Sequence, residues 1–145
     1  MIRKIPNETP TYHFYNANPK GRRTTDCVVR SICTALEQDY NKTVIELAEL
    51  QCATGFDDGD KKLYDKYLQS KGWQKHQQPR KWDNTKYTGD EWCGEVQAVI
   101  RRDRSTPWRR MVANIGGGHI VAIMDGKIYD TWDSGDGCIG NYWTK

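Results

Sequence analysis

Cys27 and His119 are the two residues whose type and local sequence point most clearly to a reaction. Cys27 follows Thr24-Thr25-Asp26, which offers a helix N-cap, and the residues after it have helical apolar spacing. Free N–H groups and the helix dipole at such a start stabilise a thiolate. His119 opens the run HIVAIM after three glycines, which let another segment approach closely. A histidine beside this cysteine can serve as base and then as acid, which predicts a nucleophilic site.

The turn after His119 predicts which carboxylate would orient the imidazole. Asp125-Gly126 lies between two β-rich runs and is a strong hairpin signal. A two-residue turn there places Asp130 on the same face of the hairpin as His119, where a carboxylate can hold the ring in one tautomer. Asp133 points the other way unless a bulge or turn intervenes. Asp130 is therefore the first candidate for the third residue, and Asp133 is the second.

The same register places Trp132 directly opposite His119. An indole at this position could form a wall of the site and shield the imidazole from water. A core-packing role for Trp132 is an equal alternative.

Four helices and a later set of strands must position these side chains. The segments with helical apolar spacing are about 26–38, a second one capped by Asn41 or Thr43, a third running from Asp58 or Asp60 to Gly72, and a fourth over about 90–102. The polar stretch from Gln74 to Gly89 is expected to be a long loop.

The strands come last. From Trp108 onward the runs MVANI, HIVAIM and KIYDTW are typical of strands, and GNYWT is expected to add another. Helices followed by strands, without alternation, predict an α+β fold in which N-terminal helices pack on a C-terminal antiparallel sheet. Prolines in the first 24 residues predict an extended arm that lies over the fold rather than in its core.

Length and composition predict one folded domain spanning residues 1–145. The chain has 145 residues, which is enough for a single core, and its six Trp and eight Tyr add large apolar area. Its formal net charge of +3 makes a dedicated nucleic-acid binder possible but not favoured.

The cysteines and histidines indicate neither a disulfide framework nor a metal site. Five Cys without CxxC spacing and only three His favour free thiols in a reducing compartment, with no metal site. The chemistry expected of Cys27 and His119 requires no cofactor. No run approaches the roughly 18 apolar residues of a membrane span, and the first residues lack a signal-peptide core. We therefore expect a cytoplasmic protein without a membrane partner.

Two segments resemble a known family. DCVVRSICTAL and the later GGHIVAIMDGKIYDTWDS are similar to papain-like cysteine peptidases, especially the compact C39-like branch, and to small bacteriophage proteins that carry both segments. The resemblance implies a papain-like fold with a Cys-His-Asp triad formed by Cys27, His119 and Asp130. It further implies a peptide or protein substrate, encountered in the host cytoplasm if the chain is encoded by a phage.

One position departs from the family pattern. Papain-like enzymes usually place a Gln before the nucleophile to complete the oxyanion hole, and Gly21 stands at that position here. Asn16, Asn18 or Thr24 could supply a side-chain donor beside the Cys27 N–H, although none has the expected spacing. Loss of one such donor costs about 10²–10³ in rate.

This departure keeps a second function open. A non-catalytic protein on the same scaffold could bind a host protein or nucleic acid through basic segments near Trp108. The basic residues concerned are Arg101, Arg102, Arg104, Arg109 and Arg110. The sequence does not predict an oligomeric state.

Overall fold

The computed structural model describes residues 7–145, and over these residues the chain is an α+β protein. The helices are α1 (Cys27–Leu36), α2 (Tyr40–Thr54), α3 (Lys61–Ser70) and α4 (Gly89–Arg102), with a 3-10 turn at Pro107–Arg109. The strands are β1 (Glu8–Thr9), β2 (Tyr12–Phe14), β3 (Gln74–His76), β4 (Arg110–Ile115), β5 (His119–Met124), β6 (Lys127–Asp130) and β7 (Ile139–Thr144).

The seven strands form one sheet with helices on both faces. Its strand order is β1-β2-β6-β5-β4-β7-β3. One face buries residues of α1, α2 and α3 against Val112, Ile120 and Trp143. The other face buries α4 residues against neighbouring positions of the same strands, because side chains alternate across a sheet. The apolar core therefore has two parts, one on each side of the sheet.

The sheet is mixed, which corrects the prediction of an antiparallel sheet. β2 pairs parallel to β6, with Tyr12 opposite Ile128 and Phe14 opposite Asp130. Every other pairing between the described strands is antiparallel.

The predicted N-terminal arm belongs in part to the sheet and core, because β1 and β2 are strands of the sheet, whereas residues 19–24 are exposed. The structure describes the arm from residue 7, and Tyr12 within it is only 3% exposed. Prolines flank β2 but leave its backbone N–H groups free to bond β6, so the extended conformation that they favour becomes a strand.

The predicted long loop from Gln74 to Gly89 contains a further strand. β3 pairs antiparallel with β7, with Lys75 opposite Trp143. Its three residues are too few for an alternation of apolar and polar side chains to be read from the sequence. The rest of the segment carries only isolated bridges, such as Arg80 with Lys86.

The β5–β6 hairpin has the predicted register over the three residue pairs next to the turn, but β6 ends at Asp130, so the expected strand pairing of Trp132 with His119 is not formed. Met124 pairs with Lys127, and Ala122 pairs with Tyr129. Asp125 and Gly126 have φ values of 50° and 80°, as a tight hairpin turn requires. A Cβ at Gly126 would also lie 2.3 Å from Gln97 Cγ, so glycine is needed there for space as well as for φ.

The helix starts agree in part with the predicted caps. Asp60 caps α3, as expected, with its side chain accepting from the Lys62 N–H. Asp39, rather than Asn41 or Thr43, caps α2. Over residues 7–145, no helix is long and apolar enough to cross a membrane.

Candidate active site

Cys27 is the first residue of α1, so its thiol lies beside the free N–H groups of a helix start. Asp26 precedes it at the N-cap position, but the Asp26 carboxylate does not cap the helix. It accepts instead from Arg30 Nε at 2.7 Å and from the Tyr40 hydroxyl at 2.6 Å. The positive end of α1 is therefore left facing Cys27 without side-chain neutralisation from its own cap.

His119 lies between Cys27 and Asp130. Its Nε2 is 2.6 Å from Asp130 Oδ2, and its ring lies close enough to Cys27 to shift the pKa of that thiol. Because Nε2 faces the carboxylate, Nδ1 is the ring nitrogen left to face the sulfur. The structure thus brings together the three residues that the sequence nominates as a triad.

The electrostatics of the three groups favour an ion pair. Burial would raise the pKa of the Cys27 thiol, but the hydrogen bond and positive charge of His119 outweigh it and lower that pKa. Burial likewise opposes the charged form of His119, yet hydrogen bonds to Asp130 and Cys27 raise its pKa to about 9. A proton placed on His119 is therefore held there while the sulfur is a thiolate.

Asp130 is fixed by four further groups. The carboxylate is only 2% exposed, and its Oδ1 accepts from Arg30 Nη1 at 2.5 Å and from the Thr131 N–H at 2.7 Å. The Tyr12 hydroxyl and the Tyr15 N–H both donate to the Asp130 carbonyl oxygen. Burial opposes its charge, but hydrogen bonds from His119 and Arg30 keep the pKa of Asp130 low. The carboxylate is consequently an ionised, immobile partner for His119.

Arg30 is a site residue that was not predicted from the sequence. Its guanidinium bridges Asp26 and Asp130, and its side chain is 9% exposed. It follows Cys27 by one helical turn and so lies on the same face of α1. A charged residue within a helix whose apolar spacing predicts burial was the available signal.

The other cysteines have different surroundings. Cys33 and Cys93 are buried, and burial raises their pKa values to about 11 and about 12. Cys52 and Cys138 are exposed on the surface. The activated environment therefore belongs to Cys27 and is not shared by the buried thiols.

A cleft of about 580 Å³ opens onto Cys27. We call it the Cys27 cleft. Its apolar lining includes Val44, Leu47 and Ala48 of α2, together with Leu63 of α3 and Ile120 of β5. A substrate group of apolar character can therefore lie directly beside the sulfur.

The three predicted oxyanion donors are placed differently. Thr24 lines the Cys27 cleft. The Asn18 amide donates to Asp26 Oδ2 at 3.2 Å and to the Tyr40 hydroxyl at 3.4 Å, and the Asn16 amide donates to the Arg22 carbonyl. Both asparagines are thus engaged elsewhere, and neither is among the residues that line the cleft.

Tyr64 is a second site residue that was not predicted from the sequence. Its hydroxyl accepts from Asn114 Nδ2 at 2.8 Å, and among residues 7–145 its own O–H has no acceptor. Tyr64 lines the cleft that holds Cys27, and a Cys27 thiolate is one of the charges that, after burial, raise the Tyr64 pKa. Helical spacing alone cannot distinguish a core tyrosine of α3 from one whose hydroxyl reaches a cleft.

Trp132 and Asp133 have distinct positions. The Trp132 ring centroid is 4.9 Å from that of His119, and the side chain is 52% exposed, so it covers the imidazole from the solvent side. Asp133 Oδ1 accepts from the Gly135 N–H and makes no hydrogen bond with His119 among the described contacts. The contact to His119 is made by Asp130.

The predicted basic residues form a separate surface. Arg104, Arg109 and Arg110 line a cleft of about 520 Å³ that shares no lining residue with the Cys27 cleft. Arg101 and Arg102 lie exposed in the last turn of α4. In the described part of the chain, no group of three His, Cys, Asp or Glu side chains is arranged to hold a metal ion.

Comparisons of the chain with models of protein families, with curated proteins and with solved structures found no match. The family resemblance therefore rests on the two segments that carry Cys27, His119 and Asp130.

Proposed function

We propose that the protein is a papain-like, cysteine-dependent hydrolase or acyltransferase that acts on the carbonyl of a peptide, isopeptide or side-chain amide. One observation carries the proposal: Cys27, at a helix start, lies beside a histidine that has one ring nitrogen 2.6 Å from a buried carboxylate. Three independent elements, α1, β5 and β6, supply the three groups. The open cleft beside the sulfur gives a substrate access to it.

The proposed reaction uses the Cys27 thiolate as nucleophile and protonated His119 as acid. The Cys27 thiolate attacks the carbonyl carbon, and the carbonyl oxygen takes the displaced electron pair. Protonated His119 then gives its proton to the leaving nitrogen, the C–N bond breaks, and a thioester remains on Cys27. Water attacks the thioester while His119 accepts its proton, which releases the acid and restores the thiolate–imidazolium pair. Asp130 keeps the ring oriented through both steps.

The negative oxygen of the intermediate needs donors. The Cys27 N–H is one, because the first N–H groups of a helix have no partner within it. The Tyr64 hydroxyl, held by Asn114 and free to donate, is our choice for the second. It would take the place of the missing glutamine, with Thr24 as the alternative that also lines the cleft.

The rival function is binding through the arginines. Arg109 pairs with Asp125 at 2.8 Å, and Arg110 lies 3.9 Å from Glu37, so two of the basic residues already have acidic partners. This pairing favours the hydrolase over the binding protein.

A peptide mixture of defined composition tests the proposal. Wild-type protein and the Cys27→Ser variant are each incubated with proteome-derived peptides, and mass spectrometry counts new peptide termini and conversions of Gln to Glu. We expect one or both of these products to form with the wild type and neither to form with Cys27→Ser. Tyr64→Phe should reduce their rate by about 10²-fold, the usual effect of losing one oxyanion donor.

Equal product levels for the wild type and Cys27→Ser would overturn the hydrolase. The binding function would replace the hydrolase if charge reversal at Arg109 and Arg110 then abolished the biological effect of the protein and the Cys27→Ser variant retained that effect. Circular dichroism of each variant serves as the control for folding.

A further inference from the structure

A second cleft of about 500 Å³ adjoins the Cys27 cleft. Its lining residues include Lys61, Lys86, Gln78, Asn141 and Cys138. We call it the lysine cleft. Gly59, Tyr64 and Gly118 line both clefts, so the two meet beside the residue that precedes His119. Because the two clefts share these residues, one extended chain of several residues can lie in both.

The charged side chains that line the lysine cleft are all positive. None of the described residues that line it is acidic, whereas two are lysines and three carry side-chain amides. The amides belong to Gln78, Asn114 and Asn141. Each of the three amide groups already donates a hydrogen bond within the protein. The two lysine ammonium groups are therefore the main donors that the cleft offers to a carboxylate.

Among residues 7–145, Lys61 has no carboxylate partner of its own. Its ammonium donates to Asn141 Oδ1. Asp65, one turn later on α3, instead accepts from the Trp143 indole at 2.8 Å and from Gln69. Burial, followed by the charge of Lys75, lowers the pKa of Lys61. A partly dehydrated ammonium in this setting gains more from an incoming anion than an exposed one does.

We propose that the lysine cleft binds a carboxylate of a polypeptide substrate, on one side of the scissile bond, while the Cys27 cleft takes an apolar residue on the other. This inference rests on the proposed function, because it assigns a substrate class to the same site. The carboxylate belongs to an Asp or Glu side chain or to the C-terminus of the substrate, and both sources would make the same contacts with Lys61 and Lys86.

Two-sided covalent probes test the inference. Each probe has a central epoxysuccinyl group, which alkylates Cys27, and a short amidated peptide on each side of it. One peptide contains Leu, and the other contains Glu, Gln or Lys. Each pair of peptides is made in both orders. A further Gln probe ends in a free carboxylate on that side. The second-order rate of Cys27 modification is measured by mass spectrometry.

In one order of the flanks, we expect the Glu probe to react roughly two- to fivefold faster than its Gln counterpart, and the Lys probe to react more slowly. The double variant Lys61→Gln and Lys86→Gln should abolish this preference. Lys66→Gln, on the exposed side of α3, is the matched control and should retain it. A preference for the free-carboxylate probe over the Glu probe would assign the cleft to a chain terminus.

The two proposals fail in different ways. The carboxylate site would be overturned if Cys27 were modified rapidly and at equal rates by the Glu, Gln, Lys and free-carboxylate probes in both orders. That result would still agree with the proposed hydrolase. Slow modification of Cys27 by every probe, no faster than that of exposed Cys52, would overturn the proposed function itself.

Discussion

At the scale of single residues, the site depends on a chain of charges that extends beyond the three triad groups. Five groups lie side by side in the order Asp26, Arg30, Asp130, His119 and Cys27. Their charges alternate when the sulfur is a thiolate. Each group therefore has an opposite charge beside it, which offsets the cost of burying it. Arg30 is central because it neutralises two carboxylates.

Replacing Arg30 should destabilise the protein. Arg30→Met leaves Asp26 and Asp130 as buried carboxylates without their cation, and we expect it to lower the free energy of unfolding by about 3–5 kcal/mol at pH 7. Urea denaturation followed by tryptophan fluorescence measures the change. Arg110→Met, at a half-exposed pair, is the control and should cost less than about 1 kcal/mol.

The effect of Arg30→Met should depend on pH. The pKa of Asp130 is lowered in the folded protein, so its stabilising charge is present above the unfolded pKa of about 3.9 and is lost as the pH falls through the lower folded value. The difference between wild type and variant should therefore shrink in acid. A difference of under about 1 kcal/mol at pH 7 would contradict the assignment of Arg30 as the structural cation.

At the scale of elements, α1 and the β5–β6 hairpin hold the site, and β2 supports the hairpin from its outer edge. Tyr12 packs in the core between the sheet and α4, and its hydroxyl donates to the Asp130 carbonyl at 3.1 Å. The N-terminal segment thus fixes the backbone of the residue that orients His119.

Tyr12→Ala tests this role of β2. We expect it to lower the free energy of unfolding by about 3–5 kcal/mol, because it removes a large buried side chain. Tyr12→Phe removes only one hydrogen bond and should cost about 1 kcal/mol. Tyr15→Ala, at a 42% exposed ring, is the comparison for a surface tyrosine of the same segment. Equal stability of the Tyr12→Ala and Tyr15→Ala variants would show that β2 is not part of the core.

The sequence predicts the elements whose signals are local. The Asp125-Gly126 turn sets the hairpin register, and so the contact between His119 and Asp130 follows from the spacing of residues along the chain. The pairing of β2 with β6 joins residues more than a hundred positions apart, and no local pattern encodes it. The Arg30 bridge and the Tyr64 hydroxyl are missed for the same reason, since both depend on how distant elements pack.

At the scale of the whole molecule, the sheet and its two helical layers place the nucleophile in a cleft that adjoins a second one, and they keep a third cleft apart from both. The Cys27 cleft and the lysine cleft share three lining residues, while the arginine-lined cleft shares no residue with either of them. The central claim is that this architecture creates one activated thiol among five cysteines.

The most direct test is the alkylation rate of each cysteine by iodoacetamide as a function of pH, resolved by peptide mass spectrometry. Exposed Cys52 and Cys138 and buried Cys33 and Cys93 are internal controls. We predict that Cys27 alone reacts rapidly, with a midpoint well below the free-thiol value of about 8.5, and that His119→Ala raises this midpoint. A midpoint for Cys27 that coincides with those of Cys52 and Cys138, or that His119→Ala leaves unchanged, would contradict the claim of an activated thiol.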